Sequence, residues 1–474
     1  MLASNNRPRR IISVFLLAML NVSIMASLRS LPIVAEFGLS ALAFFFLVGV
    51  FFLIPCALIS AELATGWPKE GGVYIWVREG LGDRWGFMAI WMQWAHNIAW
   101  FPVILSFVAV TIAYTFSPEI VSNKLYVFLV IVGGFWGMTL LNYFGMKMSS
   151  WVSTIGVILG TLLPGVFIIA LGIAWVSSGN PVQTPLTWDA LIPQFSNLNN
   201  LIFLSGLFLA FSGLEVSASY ANEVKNPTKN YPLAILLGAL LTFSIFLAGS
   251  LAIAIVIPHS ELNLVSGVIE TFQTFLNFYQ IGWLLSIMAI LLVFGAVAEL
   301  NSWIIGPIRG LHATSVHGNL PPYFQKLNKY CVPTRLLFFQ AVLMSISSVV
   351  FLFLPQLSSA FWMLTALSAQ SYLIMYILLF IAAIRLRYSK PKVPRAYRIP
   401  YQQKGIWALG IMGIAASVFT IALCFVPPAT LDVGSVTAYH WTLGGGLFVM
   451  CIIPLLIHFR RKPHWIETTR IPKE

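Results

Sequence analysis

The sequence predicts an all-α membrane protein with twelve transmembrane helices. Of the 474 residues, 59% are hydrophobic and 9% are charged, and the mean hydropathy is +0.87. Soluble proteins carry about 25% charged residues, so the composition excludes a soluble globular protein. The charged residues lie mainly in short connections between long apolar runs, and this alternation is typical of a chain that crosses a membrane many times.

Twelve apolar runs are long enough to cross a membrane, since a spanning helix needs about 20 residues. The predicted spans are 11–36, 40–63, 85–116, 125–145, 151–176, 200–220, 232–257, 281–306, 336–354, 358–384, 405–426 and 439–459. The uncharged stretch 336–384 is too long for one helix, and Pro355 predicts a turn within it. The longest connections are 177–199, 258–280 and 307–335. Each is too short to bury a core of its own, although the spaced apolar residues of 259–276 predict a short surface helix.

Basic residues indicate the orientation. Of the 27 Lys and Arg residues, all but Lys124 and Arg29 fall on one side of this layout. Because basic loops are retained in the cytoplasm during insertion, we expect a multi-pass protein of the cell inner (plasma) membrane with both termini cytoplasmic. The net charge of +12 lies in these short loops, so no nucleic-acid partner is expected. The expected oligomeric state is a monomer or a homodimer.

The cysteines and the N-terminus exclude several other features. Cys56, Cys331, Cys424 and Cys451 lie far apart and form no CxxC or Cys/His cluster, so neither a disulfide framework nor a metal site is expected. No cofactor motif is present, and no cofactor is expected. The basic N-terminus followed by apolar residues could mimic a signal peptide, but we interpret the apolar run as a retained first helix.

Three charged residues lie well inside predicted spans: Arg29 in the first, Glu215 in the sixth and Glu299 in the eighth. A charge at membrane depth is costly, so each is a functional hypothesis. Glu215 could contact substrate, carry a proton or pair with a neighbouring helix, and desolvation of its charged form would suit a proton-coupled step. Arg29 could attract an acidic group of the substrate or neutralise one of the two glutamates. Glu62, near the end of the second span, is expected to reach the interface by snorkelling.

Two spans are predicted to break near the membrane midplane. The first has small and polar residues over 21–30 and then Pro32, which lacks a backbone donor. The sixth has Gly213 among serines. Broken backbone at this depth is tolerated only where it lines a cavity or is buried in protein, and the freed amides of a half-helix can bind a carboxylate. The alternative is that these small residues serve helix packing.

The breaks lie in spans one and six, which is the offset expected if five helices are repeated with inverted topology. This arrangement predicts a single integral membrane domain over 1–474. Its predicted parts are a ten-helix inverted-repeat core over 11–384, two additional helices over 405–459 and a short cytoplasmic tail over 460–474.

Aromatic residues give a further hypothesis in the tenth span. Tyr372 and Tyr376 are spaced i, i+4, so they share one helix face. Buried tyrosine hydroxyls need hydrogen-bond partners, and two on one face could line a polar path. The alternative is that they are core or lipid-interface aromatics, and the aromatic-rich stretch 85–100 is expected to serve packing in the same way.

Several segments resemble those of one transporter family. They are 213–232, which contains GLEVSASYANEVKNP, 298–310, which reads AELNSWIIGPIRG, and the shorter segments 70–77, 84–87, 320–322 and 327–333. From the first helix to about residue 460, the chain resembles the bacterial glutamate/γ-aminobutyrate antiporters of the amino acid–polyamine–organocation superfamily.

The resemblance implies a transporter and not an enzyme, with ten LeuT-like core helices in inverted repeat and two peripheral ones. It implies alternating access, in which an external glutamate-like amino acid is exchanged for an internal γ-aminobutyrate-like one across the lipid bilayer. Carried over by position, the substrate-binding residues are Ser23, Met25, Ala26, Ser27, Arg29, Phe211, Ser212, Gly213, Leu214 and Glu215. The residues of the transport path or of proton coupling are Glu215, Glu299, Tyr372 and Tyr376.

The chain departs from this family at two places. Family members carry a tyrosine about where Arg29 stands, and a cation there changes the charge balance of the site. They also carry a long C-terminal segment that plugs the inner mouth, which is not expected here because few residues follow the last span. Three alternatives stay open: a proton-coupled symporter for a neutral or cationic amino acid, a substrate-sensing receptor on a transporter scaffold, and an ion channel. The receptor would need a signalling domain and the channel a filter motif, and the sequence indicates neither.

Overall fold

The computed structural model of the protein describes residues 13–68, 71–145, 155–193, 195, 201–216 and 224–466. Over these residues the chain is helical, and His317 and Ile466 form an isolated antiparallel bridge. Ten helices are long and apolar enough to cross a membrane, a bent helix pair forms a further span, and a shorter apolar helix follows the fifth of the predicted spans. The all-α membrane fold is therefore confirmed, with helices in the predicted order.

The first span is the bent pair Val14–Met25 and Leu28–Ala35, and the sixth is the short helix Leu204–Val216. The others are Gly38–Gly66, Asp83–Phe116, Lys124–Tyr143, Val157–Ser177, Pro227–Val256, Leu284–Val316, Thr334–Phe353, Leu357–Ser389, Gln402–Leu423 and Val436–Phe459. Parts of the predicted fifth and sixth spans, 151–154 and 217–220, lie outside the described residues. The eighth span passes its predicted end at 306, because Pro307 lies inside the helix instead of ending it.

One helix between the second and third spans was not predicted. It is Val73–Leu81, which buries the apolar side chains at its start and ends at Gly82, whose φ is +96°. At nine residues it is too short to be found as an apolar run of membrane length. A short helix is present in the segment predicted to form one, as Gly267–Phe278, and the 3₁₀ turn His259–Glu261 precedes it. Most of its residues are buried against the bundle, so it is not the surface helix that was expected.

The third and tenth spans form the centre of the bundle. Over the 18 most apolar consecutive residues of each span, 78% of the residues of the third and 83% of those of the tenth are buried inside the protein. The corresponding shares are 33% for the eleventh span and 11% for the twelfth. A membrane helix that buries few residues in protein presents its apolar surface to lipid. The last two spans are therefore peripheral, and the side chains of the third and tenth are placed to face the interior.

The connections that carry the basic residues meet at one end of the bundle, here called the basic end. Arg461, after the twelfth span, pairs with Asp83 at the start of the third. Lys390, after the tenth span, pairs with Glu79 in the helix between the second and third. Lys124 lies at the opposite end, as the first residue of the fourth span. Lys124 thus lies at the end of the bundle away from these other basic residues, as the loop pattern predicts.

The fifth and eighth spans approach each other through glycine. A Cβ atom built on Gly160 would lie 2.1 Å from the backbone nitrogen of Gly295. No side chain fits at that distance, so the two backbones touch directly. Small residues at helix contacts allow such close packing in membranes, and here they bring the eighth span, which carries Glu299, against the fifth.

Glu62 does not snorkel to the interface, and that expectation is wrong. Its side chain is 4% exposed and forms ion pairs with Arg387 and Arg395. The Arg387 Nε donates to Glu62 Oε1 at 2.6 Å, and the Ile399 amide donates to Oε2 at 2.9 Å. Glu62, Arg387 and Arg395, here called the Glu62 cluster, therefore tie the second and tenth spans to the connection that follows. The paired arginines remove the need to reach water.

At the end opposite the basic end, His259 and Glu36 form an ion pair at 3.0 Å. The hydrogen bond to Glu36 raises the pKa of His259 above its usual value. The pair therefore contributes stability fully below about pH 6.5, the usual histidine pKa, and that contribution is lost as pH rises through the raised pKa. Because His259 is half exposed, we expect only about 0–1 kcal/mol.

Thermal unfolding of purified protein at about pH 5.5 and about pH 8 tests this pH dependence. The His259→Gln variant should lose stability relative to wild type at the lower pH and match it at the higher pH. An equal loss at both pH values would show that protonation of His259 is not involved.

Candidate functional site

The first span breaks between its two helical halves at Ala26 and Ser27. The helix ends at Met25, the Ala26 amide donates back to the Val22 carbonyl at 2.7 Å, and Ser27 is extended, with φ −106° and ψ 105°. Pro32 lies in the first turn of Leu31–Ala35, the α-helical part of the second half, where a missing amide is tolerated. The predicted break is present, and it lies one turn before the proline.

The sixth span breaks at Gly213. The regular helix Leu204–Ala210 ends just before it, and Gly213 has a φ of +109°. A Cβ atom there would lie 2.8 Å from the Ile24 Cγ2 and 3.0 Å from the Trp303 ring. Both the backbone conformation and the space therefore require glycine, and the two broken spans touch at this point.

Glu215 accepts hydrogen bonds from three buried side chains, and these four residues are here called the Glu215 cluster. Gln93 Nε2, from the third span, donates to its Oε1 at 3.0 Å. The hydroxyls of Tyr372 and Tyr376, from the tenth span, donate to Oε1 and Oε2. Tyr376 also accepts from the Gly213 amide at 2.8 Å. Hydrogen bonds to a charged acceptor are the stronger kind, so the cluster fastens the broken sixth span to the third and tenth.

Arg29 lies in the second half of the first span and is 4% exposed. Its guanidinium lies 5.1 Å from the centre of the Trp100 ring and 6.0 Å from that of Phe361. Glu299 interacts with it electrostatically and hydrogen-bonds Ser27. None of the ion pairs among the described residues includes Arg29, so the two charges face each other without a direct bridge.

His96 is a site residue that the sequence interpretation missed. Its ring stacks on Tyr372 with centroids 4.1 Å apart, and Nδ1 lies 3.1 Å from the Ser368 hydroxyl. Its Nε2 is buried without a hydrogen-bond partner among the described residues. Gln93, His96 and Trp100 are spaced i, i+3 and i+7 on one face of the third span. That spacing was the available signal, and within the stretch 85–100, which was expected to serve packing, Gln93 also belongs to the Glu215 cluster and His96 also contacts it.

Two cavities meet the Glu215 cluster. A large cavity of about 510 Å³ runs from exposed loop residues such as Cys331 at the basic end to the buried Gln93 and Glu215. A small cavity of about 20 Å³ lies on the other side, where Arg29 and Glu299 face it. It holds roughly one water molecule. Tyr372 lines the small cavity, and its hydroxyl bonds Glu215, which lines the large one, so the cluster lies between the two spaces.

The predicted site residues fall into three groups: those that line the small cavity, those at the large cavity or the Glu215 cluster, and those that line neither cavity. Met25, Ser27, Arg29, Ser212, Glu299 and Tyr372 line the small cavity, and Glu215 lines the large one. Gly213 and Tyr376 reach the site through the Glu215 cluster. Ser23, Ala26, Phe211 and Leu214 line neither cavity. Ser23 bonds the Leu20 carbonyl of its own helix, Ala26 packs on Val22 and Val157, and Phe211 packs among other phenylalanines.

Comparison with known proteins identifies similar chains. The amino acid permease family model matches residues 12–448. The chain is 42% identical to an uncharacterized transporter of Legionella pneumophila over 95% of this chain and 97% of the relative. It is 32% identical to a glutamate/gamma-aminobutyrate antiporter of Lactococcus lactis over 97% and 93% of the two chains. It is 26% identical to a probable agmatine/putrescine antiporter of the same species over 88% of each.

Proposed function

The chain belongs to the amino acid permease family, and from that premise we propose that it is an antiporter that exchanges an external glutamate-like amino acid for an internal γ-aminobutyrate-like one. The observation that carries the proposal is the Glu215 cluster, which lies between two helix breaks at the floor of the large cavity. Two glutamate/gamma-aminobutyrate antiporters of Lactococcus lactis, at 32% and 33% identity over nearly the whole chain, support this substrate class.

A zwitterionic substrate matches the groups at the two breaks. Half-helix amides near Ser27 and Gly213 can hold an α-carboxylate, and the Glu215 carboxylate can hold an ammonium group. Both exchanged substrates carry the ammonium group that Glu215 can hold, whereas the α-carboxylate is present in glutamate and absent from γ-aminobutyrate. One site can therefore serve each in turn through the shared ammonium contact. An empty, desolvated site is costly, so the protein changes conformation only when a substrate is bound. Because the empty carrier does not return, each inward step is coupled to an outward one, and the result is exchange.

The two cavities support alternating access. The large cavity opens at the basic end, which we assign to the cytoplasm because basic loops are retained there. This conformation therefore exposes the site to the cell interior. The Glu215 cluster closes the path beyond it, so passage requires Tyr372 or Gln93 to release Glu215. In this proposal the protein lies in the bacterial inner membrane with both termini inside.

Proton-coupled uptake is the second candidate. Two buried carboxylates, Glu215 at the large cavity and Glu299 at the small one, could each carry a proton across the membrane. Transport of a diamine, as the name of the agmatine/putrescine relative suggests for that protein, fits less well. Arg29 would face one of the two ammonium groups at close range, where like charges repel.

Counterflow in liposomes distinguishes these functions. Purified protein is reconstituted into vesicles that contain glutamate, γ-aminobutyrate or no amino acid. Labelled amino acids are then added outside at about pH 5.5 and about pH 7.5. We expect uptake only into vesicles that contain an internal amino acid. Uptake into empty vesicles driven by a proton gradient would establish a symporter and overturn the exchange proposal.

A further inference from the structure

Arg29 has buried hydrogen-bond donors that no described residue accepts from. Its Nε and Nη1 atoms are buried and have no hydrogen-bond partner among the described residues. A buried charged donor without an acceptor is costly to a folded protein. Glu299 relieves part of that cost by its charge alone, since it forms no ion pair with Arg29 among the described residues. These two donors of Arg29 could therefore bind a further acceptor, and the small cavity that Arg29 lines is where such an acceptor would enter.

The surroundings of Arg29 hold it ready for an anion. Trp100 and Phe361 lie against the guanidinium, and aromatic rings accommodate this planar group well. Arg29 faces the small cavity together with His96, whose Nε2 is buried and also without a partner. Two nitrogen groups from different spans, the first and the third, therefore border one enclosed space.

The small cavity and Glu215 are separated by one side chain. Tyr372 lines the cavity, and its hydroxyl bonds the Glu215 carboxylate. If Tyr372 moves aside, the small and large cavities join, with a cation at one end and an anion near the other. A substrate that fits this space carries a carboxylate and an ammonium group at a fixed separation.

Glutamate and γ-aminobutyrate share such a pair, because in both molecules three carbon atoms separate the ammonium nitrogen from a carboxylate carbon. In glutamate that carboxylate is the one on the side chain. Resting on the exchange function proposed above, we propose that Arg29 binds this shared distal carboxylate while the ammonium group faces Glu215. Glu299 is the counter-ion of Arg29 in the empty site, and the incoming carboxylate takes over that role.

The proposal makes Arg29 a specificity determinant with a defined chemical preference. The two neutral amides glutamine and 4-aminobutanamide differ from glutamate and γ-aminobutyrate only at the distal group. Replacing a charged partner of arginine with a neutral one removes charge-assisted hydrogen bonds. We therefore expect each acid to compete about 10- to 100-fold more strongly than its amide. The α-carboxylate, which γ-aminobutyrate lacks, is left to the backbone of the broken helices.

The test is competition in proteoliposomes by these four unlabelled compounds, with wild type, Arg29→Gln, Arg29→Lys and Arg460→Gln. Arg460 is exposed, so its variant removes the same charge away from the site. Arg29→Gln should bring both acid-to-amide ratios close to one, Arg29→Lys should keep part of the preference, and Arg460→Gln should keep all of it. An unchanged ratio in Arg29→Gln would overturn the inference.

Other outcomes decide it as well. A wild-type protein that does not distinguish glutamate from glutamine overturns the inference whatever the variants do. If Arg29→Gln does not fold, Arg29→Lys decides. A reduced acid-to-amide ratio supports the inference, and a full wild-type ratio overturns it, because lysine lacks the Nε and Nη1 donors from which the inference is argued. If no compound supports counterflow, the exchange function fails. The inference is then decided separately by thermal stabilisation of wild type with each acid and its amide.

Discussion

Replacing Glu215 with Gln should lower amino acid exchange by about 10- to 100-fold. The substitution keeps the size of the side chain but removes its charge, so the substrate ammonium group loses its counter-charge. It also places an amide donor where one carboxylate oxygen accepts from Tyr376. That hydroxyl already accepts from the Gly213 amide, so its own proton loses its acceptor. Initial counterflow rates, normalised to the amount of reconstituted protein, measure the effect.

Glu270→Gln is a matched control for this variant. The Glu270 carboxylate also accepts from a tyrosine and a serine, at 2.7 Å from each hydroxyl, but it lies in the short helix Gly267–Phe278 and lines neither cavity. It should exchange at close to the wild-type rate. Full exchange by Glu215→Gln, with the wild-type dependence on pH, would remove Glu215 from the mechanism.

Replacing Glu62 with Gln should destabilise the protein by about 3–5 kcal/mol, the range for removing one partner of a buried ion pair. The Arg387 side chain is fully buried and that of Arg395 is 2% exposed. Both would keep their charges without the carboxylate they share. The second and tenth spans would also lose the contact that holds them to the following connection through the Ile399 amide. Thermal unfolding of purified protein in detergent should show a clearly lower midpoint.

Glu79→Gln is the control for this stability prediction. It breaks the ion pair with Lys390 at the same basic end, but there the side chains are 19% and 40% exposed. Solvent screens such a pair, so the expected loss is below about 1 kcal/mol. Equal losses for the two variants would show that burial does not govern the strength of these pairs.

Much of the fold could be predicted because its signals are local. Apolar runs of membrane length located the spans, and Pro355 placed the turn between the ninth and tenth. The helix Val73–Leu81 was missed because it is shorter than an apolar run of membrane length. The eighth span was predicted too short because its last turns lie beyond the apolar run. Proline inside a membrane helix does not end it when neighbouring groups satisfy the freed carbonyl.

The candidate site was predicted less completely than the fold. The charges Arg29, Glu215 and Glu299 were found because charge is conspicuous in an apolar run. His96 and Gln93 were not, since single polar residues in an aromatic-rich stretch are usual at membrane interfaces. Phe211 and Ala26 were expected at the site from their position beside the breaks. Their side chains instead pack against apolar residues of neighbouring helices. A break in a helix changes the direction of the side chains beside it, so adjacent residues contact different neighbours.

The sequence by itself determined the membrane class, the order of the helices, the two breaks and the depth of the buried charges. These depend on consecutive residues, whose hydropathy and backbone preferences act within one segment. The tertiary structure alone decided the partners. Gln93 and Glu215 are 122 positions apart and Glu62 and Arg387 are 325 apart. Only the packing of distant helices sets which faces meet, and burial makes those contacts decisive because an unpaired polar group in the membrane interior has no water to replace its partner.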